Sequence, residues 1–94
     1  MAIILKFIGA LRRDAGKAQI KLEFKKDVSL LELVNSLTME LPRLRLSLLD
    51  EQLDPPKSKA LILVNGKEIS VLNGLATKVK DGDEVVFVPV VHGG

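Results

Sequence analysis

Ninety-four residues give one small domain, in which most apolar side chains must serve a single core. Hydrophobic residues make up 47%, a globular rather than disordered composition, and 14 basic against 12 acidic residues, net +2, are too balanced to point to nucleic acid. The absence of cysteine excludes disulfides, a thiolate nucleophile and cysteine-ligated metal, and three phenylalanines without tyrosine or tryptophan leave no stacking platform for single-stranded nucleic acid.

From the start, Ile3 to Ile8 is an apolar run broken only by Lys6, of the length and β-branched content of a buried central strand. It carries no basic leader, and no apolar run approaches the roughly 20 residues that span a bilayer, so a cytoplasmic protein with no membrane association is expected. Gly9 to Gly16, with three charges and two glycines, reads as a loop. Ala18 to Lys25 alternates, with Ile20, Leu22 and Phe24 on one face and charged or polar residues on the other, so the two runs form an antiparallel hairpin.

Ser29-Leu30-Leu31-Glu32 is a capping box, with Val28 and Leu33 at the staple positions. Leu30, Leu33, Val34, Leu37 and Leu41 follow at helical spacing, and Pro42 ends the helix. Leu44, Leu46, Leu48 and Leu49 lie in a stretch that reads equally as a short strand or a poor helix. Asp50 to Lys59, with Pro55-Pro56, is a loop. Ala60 to Val64 is a strand, Asn65-Gly66 a type I′ turn, and Lys67 to Ile69 the return. Asn73-Gly74 marks another turn before Leu75 to Lys80 leads into Asp81-Gly82-Asp83, and Glu84 to Val88 is the last strand. The first and last strands are the most apolar, which suits them to the middle of a mixed sheet with the helix across one face; pattern alone gives α+β.

Pro89 cannot donate to a ladder, so residues 90–94 are expected to leave the domain of residues 1–89 as a flexible tail. The tail ends in Gly93-Gly94, a pair that chance places at a chain end in roughly 1 protein in 200. Two residues without Cβ can enter a narrow slot and let another protein's backbone close on the terminal carboxylate, which makes Gly94 the candidate working end. A frayed end is the bland reading. With little core left to fill, Val90 and Val91 read as docking anchors; by alternation Val86 and Val88 share one face and Phe87 the other, and Phe87 is expected to face a partner.

The Asp-Gly-Asp-Glu-Val turn and strand, Phe87, Pro89 and the terminal Gly93-Gly94 resemble the small subunit of molybdopterin synthase and its relatives, the ubiquitin-like sulfur carriers. Leu11 to Lys17 is similar to that family's first loop and Val64-Asn65-Gly66 to its central turn. Two departures stand out: Pro89-Val90 where that subunit commonly has Pro-Pro, and His92 where it has a small residue. His-Gly-Gly is more similar to the ubiquitin-related modifier that thiolates tRNA and tags proteins.

The resemblance implies a β-grasp (ubiquitin-like) fold, a mixed sheet of four to five strands with one main helix across one face. It implies that an E1-like adenylating enzyme uses ATP to convert the Gly94 carboxylate, with Gly93 beside it, to an acyl adenylate, which a sulfur donor turns into a thiocarboxylate. The chain itself binds no cofactor and acts as a non-catalytic sulfur-donating subunit or co-substrate. Its implied partner is the large catalytic subunit of molybdopterin synthase, with Phe87, Pro89, Val90, Val91 and His92 at the contact. In the alternative, the same terminus is captured by lysines of target proteins as an isopeptide. A third reading is a plain interaction module, against which the free Gly-Gly end and near-neutral charge argue.

Other candidates have blander readings. Asp81, Asp83 and Glu84 lack the ligand count of a calcium loop and read as a solvated turn able to add an acidic patch to docking. Arg12, Arg13 and Lys17 read as a solvated loop rather than a phosphate site. His92 is the only histidine, so no histidine-based metal cluster can form within the chain; it is either an exposed tail residue or a contact in the activating enzyme's channel.

Overall fold

A computed structural model describes residues 1–90. In chain order the elements are β1 (Ala2–Phe7), α1 (Ala10–Ala15), β2 (Gln19–Glu23), β3 (Val28–Ser29), α2 (Leu30–Glu40), a 3₁₀ turn (Pro42–Leu44), α3 (Arg45–Leu48), β4 (Leu49–Asp50), β5 (Lys57–Ser58), β6 (Leu61–Val64), β7 (Lys67–Glu68), two further 3₁₀ turns (Ile69–Val71 and Gly74–Ala76), β8 (Lys78–Val79) and β9 (Glu84–Val88). The principal sheet has the order β2-β1-β9-β6-β7, and two short ribbons pair β3 with β8 and β4 with β5. β1 and β9 run parallel at its centre with Leu5 opposite Val85 and Phe7 opposite Phe87; every other pair in the sheet is antiparallel. This is the β-grasp arrangement, with α2 as its main helix.

Helix α2 begins where its sequence dictates. The Ser29 hydroxyl accepts from the Glu32 amide at 3.2 Å while the Glu32 carboxylate accepts from the Ser29 amide at 3.3 Å, satisfying two donors that the first turn leaves free. Leu30, Leu33, Val34 and Leu37 are fully buried against Ile3, Leu5, Ile62, Val85 and Phe87 of the sheet. Each such side chain withdrawn from water contributes about 1.5–3 kcal/mol before entropy is subtracted.

Two stretches differ from the sequence expectation. Residues 10–15, expected as loop, form α1: Leu11 and Ala15, four apart, turn inward, Arg12 and Arg13 stay in water, and Gly16 closes the helix at φ 75°. The ambiguous leucine stretch is neither reading alone, being a 3₁₀ turn, one helical turn and a two-residue strand in succession. Arg45 fastens it to α2, donating from Nη1 to the Thr38 hydroxyl at 3.0 Å, while that hydroxyl donates to the Asn35 carbonyl at 3.2 Å. Among the described residues no buried side-chain polar atom lacks a partner, and no helix is long and apolar enough to cross a membrane.

Candidate functional site

Alternation along β9 decides which residues meet α2 and which look outward. Val85 and Phe87 are fully buried; Glu84, Val86 and Val88 are half-buried on the opposite side. The expectation that Phe87 faces a partner is therefore corrected. Its ring has no exposed area and stacks on Phe7 of the neighbouring strand, centroids 5.7 Å apart and planes 19° from parallel. The physical reason is that β9 is apolar on both faces, so period two fixes the phase of the strand but not which phase the helix covers.

The outward face was missed as a site, and it is the one that leads to the tail. Cross-strand pairing sets Val86 beside Leu63 and Lys6, and Val88 beside Leu61, while Ile4 lies beside Glu84. Lys6 Nζ and Glu84 form an ion pair at 2.9 Å that bounds this apolar band. Its tail end is the more exposed: Leu61 is 37% accessible and Ile8, next beyond β1, 46%. A contiguous apolar band with a charged margin on one open sheet face has the make-up of a docking surface. The alternation of Leu61 and Leu63 with buried Ile62 and Val64 was the available signal.

At the tail root the amide of Ile8 donates to the Phe87 carbonyl at 3.0 Å, one rung past the end of β1. Pro89 follows, half-buried, and ends the ladder; Val90 is 48% accessible. Val91, His92, Gly93 and Gly94 lie outside the described residues. Of the expected site residues the structure thus places Pro89 and Val90 together at the end of the open face and removes Phe87 from it.

The Asp-Gly-Asp turn lies at the other end of β9, about 20 Å from Pro89 at the usual strand rise. Its carboxylates serve the backbone. Asp81 accepts from the Ala2 amide at 2.6 Å, while Asp83 accepts from the Lys80 amide at 2.7 Å and from Asn65 Nδ2 at 2.9 Å. The Asn65 side chain returns an acceptor to the Glu84 amide at 2.9 Å. This knot ties β1, the β6–β7 turn and β9 together; the acidic cluster organises the sheet rather than forming a patch beside the tail. The type I′ turn itself is as expected, with Asn65 at φ 50° and Gly66 at 83°.

A concavity of about 630 Å³ between Leu31, Pro55, Pro56, Ile69 and Leu75 is lined by none of the candidate residues. Among the described residues no cluster of acidic, histidine or cysteine side chains is placed to hold a metal ion.

Comparison with known proteins matches residues 5–94 to the ThiS family. Small archaeal modifier protein 3 of Haloferax volcanii is 31% identical over 94 residues, covering 100% of both chains. Small archaeal modifier protein 1 of Methanosarcina acetivorans has a solution structure that superposes with a TM-score of 0.80 at 32% identity, over 99% of this chain and 96% of that one. Urm1 of Trypanosoma brucei superposes with a TM-score of 0.78 at 26% identity, over 99% and 95%.

Proposed function

Because the chain belongs to the ThiS family, we propose that it is a ubiquitin-like sulfur carrier whose working group is the carboxylate of Gly94. The observation that carries this reading is the tail root, where Pro89 and Val90 leave the sheet at the end of an exposed apolar band. Such a band lets a partner grip the domain while the tail enters its active site. From Val90 to Gly94 the reach is at most about 17 Å.

A carboxylate has no leaving group, so it must first be activated. In the proposed cycle its oxygen attacks the α-phosphorus of ATP on an E1-like enzyme and pyrophosphate departs. A hydrosulfide-class nucleophile then attacks the acyl carbon, AMP leaves, and a thiocarboxylate remains. The thiocarboxylate sulfur bonds to the acceptor carbon as a leaving group departs from that carbon. Water then cleaves the acyl–sulfur bond, which restores the carboxylate and leaves the sulfur on the acceptor as a thiol. This chain supplies docking and a tether, and its partners supply the catalytic groups. The acceptor proposed is a cyclic pterin precursor, with the chain as small subunit of molybdopterin synthase, on the strength of the Asp81-to-Val85 turn and strand and of Pro89.

The full-length similarity to an archaeal modifier favours a second reading, in which a lysine amine captures the same acyl adenylate and leaves an isopeptide. One experiment separates the two: a denaturing immunoblot of an N-terminally tagged copy in its own cells, beside a Gly94-deleted control. The carrier predicts one band at the monomer mass, with one oxygen replaced by sulfur in a fraction of intact molecules. The modifier predicts a ladder of heavier species absent from the control. Sulfur transfer that survives loss of Gly94 would refute the carrier, and a ladder that survives it would refute the modifier.

A further inference from the structure

Five described glycines have positive φ, and four of them, Gly16, Gly66, Gly74 and Gly82, have open space where a Cβ would stand. At those four the backbone alone demands glycine. Gly9 is different. It joins Ile8 to α1 at φ 58°, ψ −132°, a region L side chains scarcely enter. A Cβ there would meet Pro89 Cγ at 3.2 Å and Cδ at 3.8 Å. The space glycine leaves is filled by the ring that ends β9.

The root of the tail is thus held in three ways. The Ile8 amide bonds the Phe87 carbonyl at 3.0 Å, the Pro89 ring fixes its own φ near −65°, and that ring seats on the bare Cα of Gly9. With a tether of at most about 17 Å, a swing of about 20° at the root displaces the far end by about 6 Å, more than a reacting pair tolerates.

We infer that Gly9 is a positioning residue, which acts through Pro89 to aim the Gly94 end. Its purpose rests on the carrier reading; its geometry does not.

The test exploits the absence of cysteine, which makes Val90→Cys a unique site for a nitroxide label. In the labelled parent, paramagnetic broadening should peak at the amides of Ile8, Gly9 and Leu61. In labelled Gly9→Ala, checked for an intact fold by its amide spectrum, that maximum should be lost and the broadening spread over the open face. Pro89→Ala leaves the backbone at residue 9 alone and should give the same loss, so it carries the test if Gly9→Ala does not fold. A maximum that persists in both folded variants overturns the inference. Without the label, both variants are assayed with ATP and the adenylating enzyme of the same cells. In both, kcat should fall by about 10-fold; in Gly9→Ala, which leaves the docking residues Pro89 and Val90 in place, docking should be retained with KM unchanged. If the parent supports no ATP–pyrophosphate exchange with that enzyme, the carrier reading fails; if it does and both variants keep their kcat, the inference fails.

Discussion

Replacing Phe87 by alanine tests whether the ring belongs to the core or to an interface. The ring is wholly buried and stacked on Phe7, and removing a buried phenylalanine costs about 3–5 kcal/mol in transfer and cavity energy together. A chain of this length has about 5–14 kcal/mol of total stability, so the variant should survive on a small remainder. At about 4–8 °C per kcal/mol the melting temperature should fall by roughly 12–40 °C. Far-UV circular dichroism in urea is the suitable assay, because the chain has no tryptophan or tyrosine to report by fluorescence. Phe87→Leu should lose less than half as much, since leucine fills most of the space. Val88→Asp, one residue along and half-buried on the open face, should lower the urea midpoint far less than Phe87→Ala and abolish docking. If Phe87→Ala keeps the parent midpoint while Val88→Asp unfolds, the face assignment is reversed.

Two further expectations concern the ends of the strands and of the helix. Asp83→Ala removes two hydrogen bonds to a carboxylate that orders the start of β9; discounted for solvent exposure, a loss of about 1–3 kcal/mol is expected by urea denaturation, with Asn65→Ala giving a similar and non-additive loss. Glu32 is held below its ordinary 4.5, first by its bond from the Ser29 amide, then by the Ser29 hydroxyl and weakly by Lys78 and Lys26. A lowered folded value means that the ionised carboxylate contributes stability above the unfolded value and loses it as pH falls through the folded one. The difference in melting temperature between parent and Glu32→Gln should therefore be present at neutral pH and vanish as the pH is lowered through that window; a difference constant from neutral pH to well below 4 would refute the capping role of the charge.

What could be read from the sequence was what is local. The α2 start needs four consecutive residues, and the Asn65-Gly66 turn needs two. The central pairing of β1 with β9 was also legible, because two strands that are apolar on both faces have nowhere else to lie. Helix α1 was hidden by its glycines and charges, although Leu11 and Ala15 stood at helical spacing. Phe87 was misplaced because its neighbours Val86 and Val88 are as apolar as a core requires. Asp81 and Asp83 lie in the solvent-exposed turn that was expected, but their bonds to Ala2 and Asn65, 79 and 18 residues away, were not legible, since no periodicity reports on contacts of that range.

The position of β9 has a mechanical consequence. It lies between β1 and β6, bonded on both sides, and the chain beyond Pro89 continues from its end. A pull applied at Val90 along the strand loads both ladders in shear, every rung at once, instead of peeling them one at a time from a free edge. The domain should therefore hold against traction at that end far better than it would if β2, an edge strand of the same sheet, were the one pulled. A protein gripped by its tail, whether by an enzyme withdrawing a product or by an unfolding motor, yields last at the strand that is being drawn.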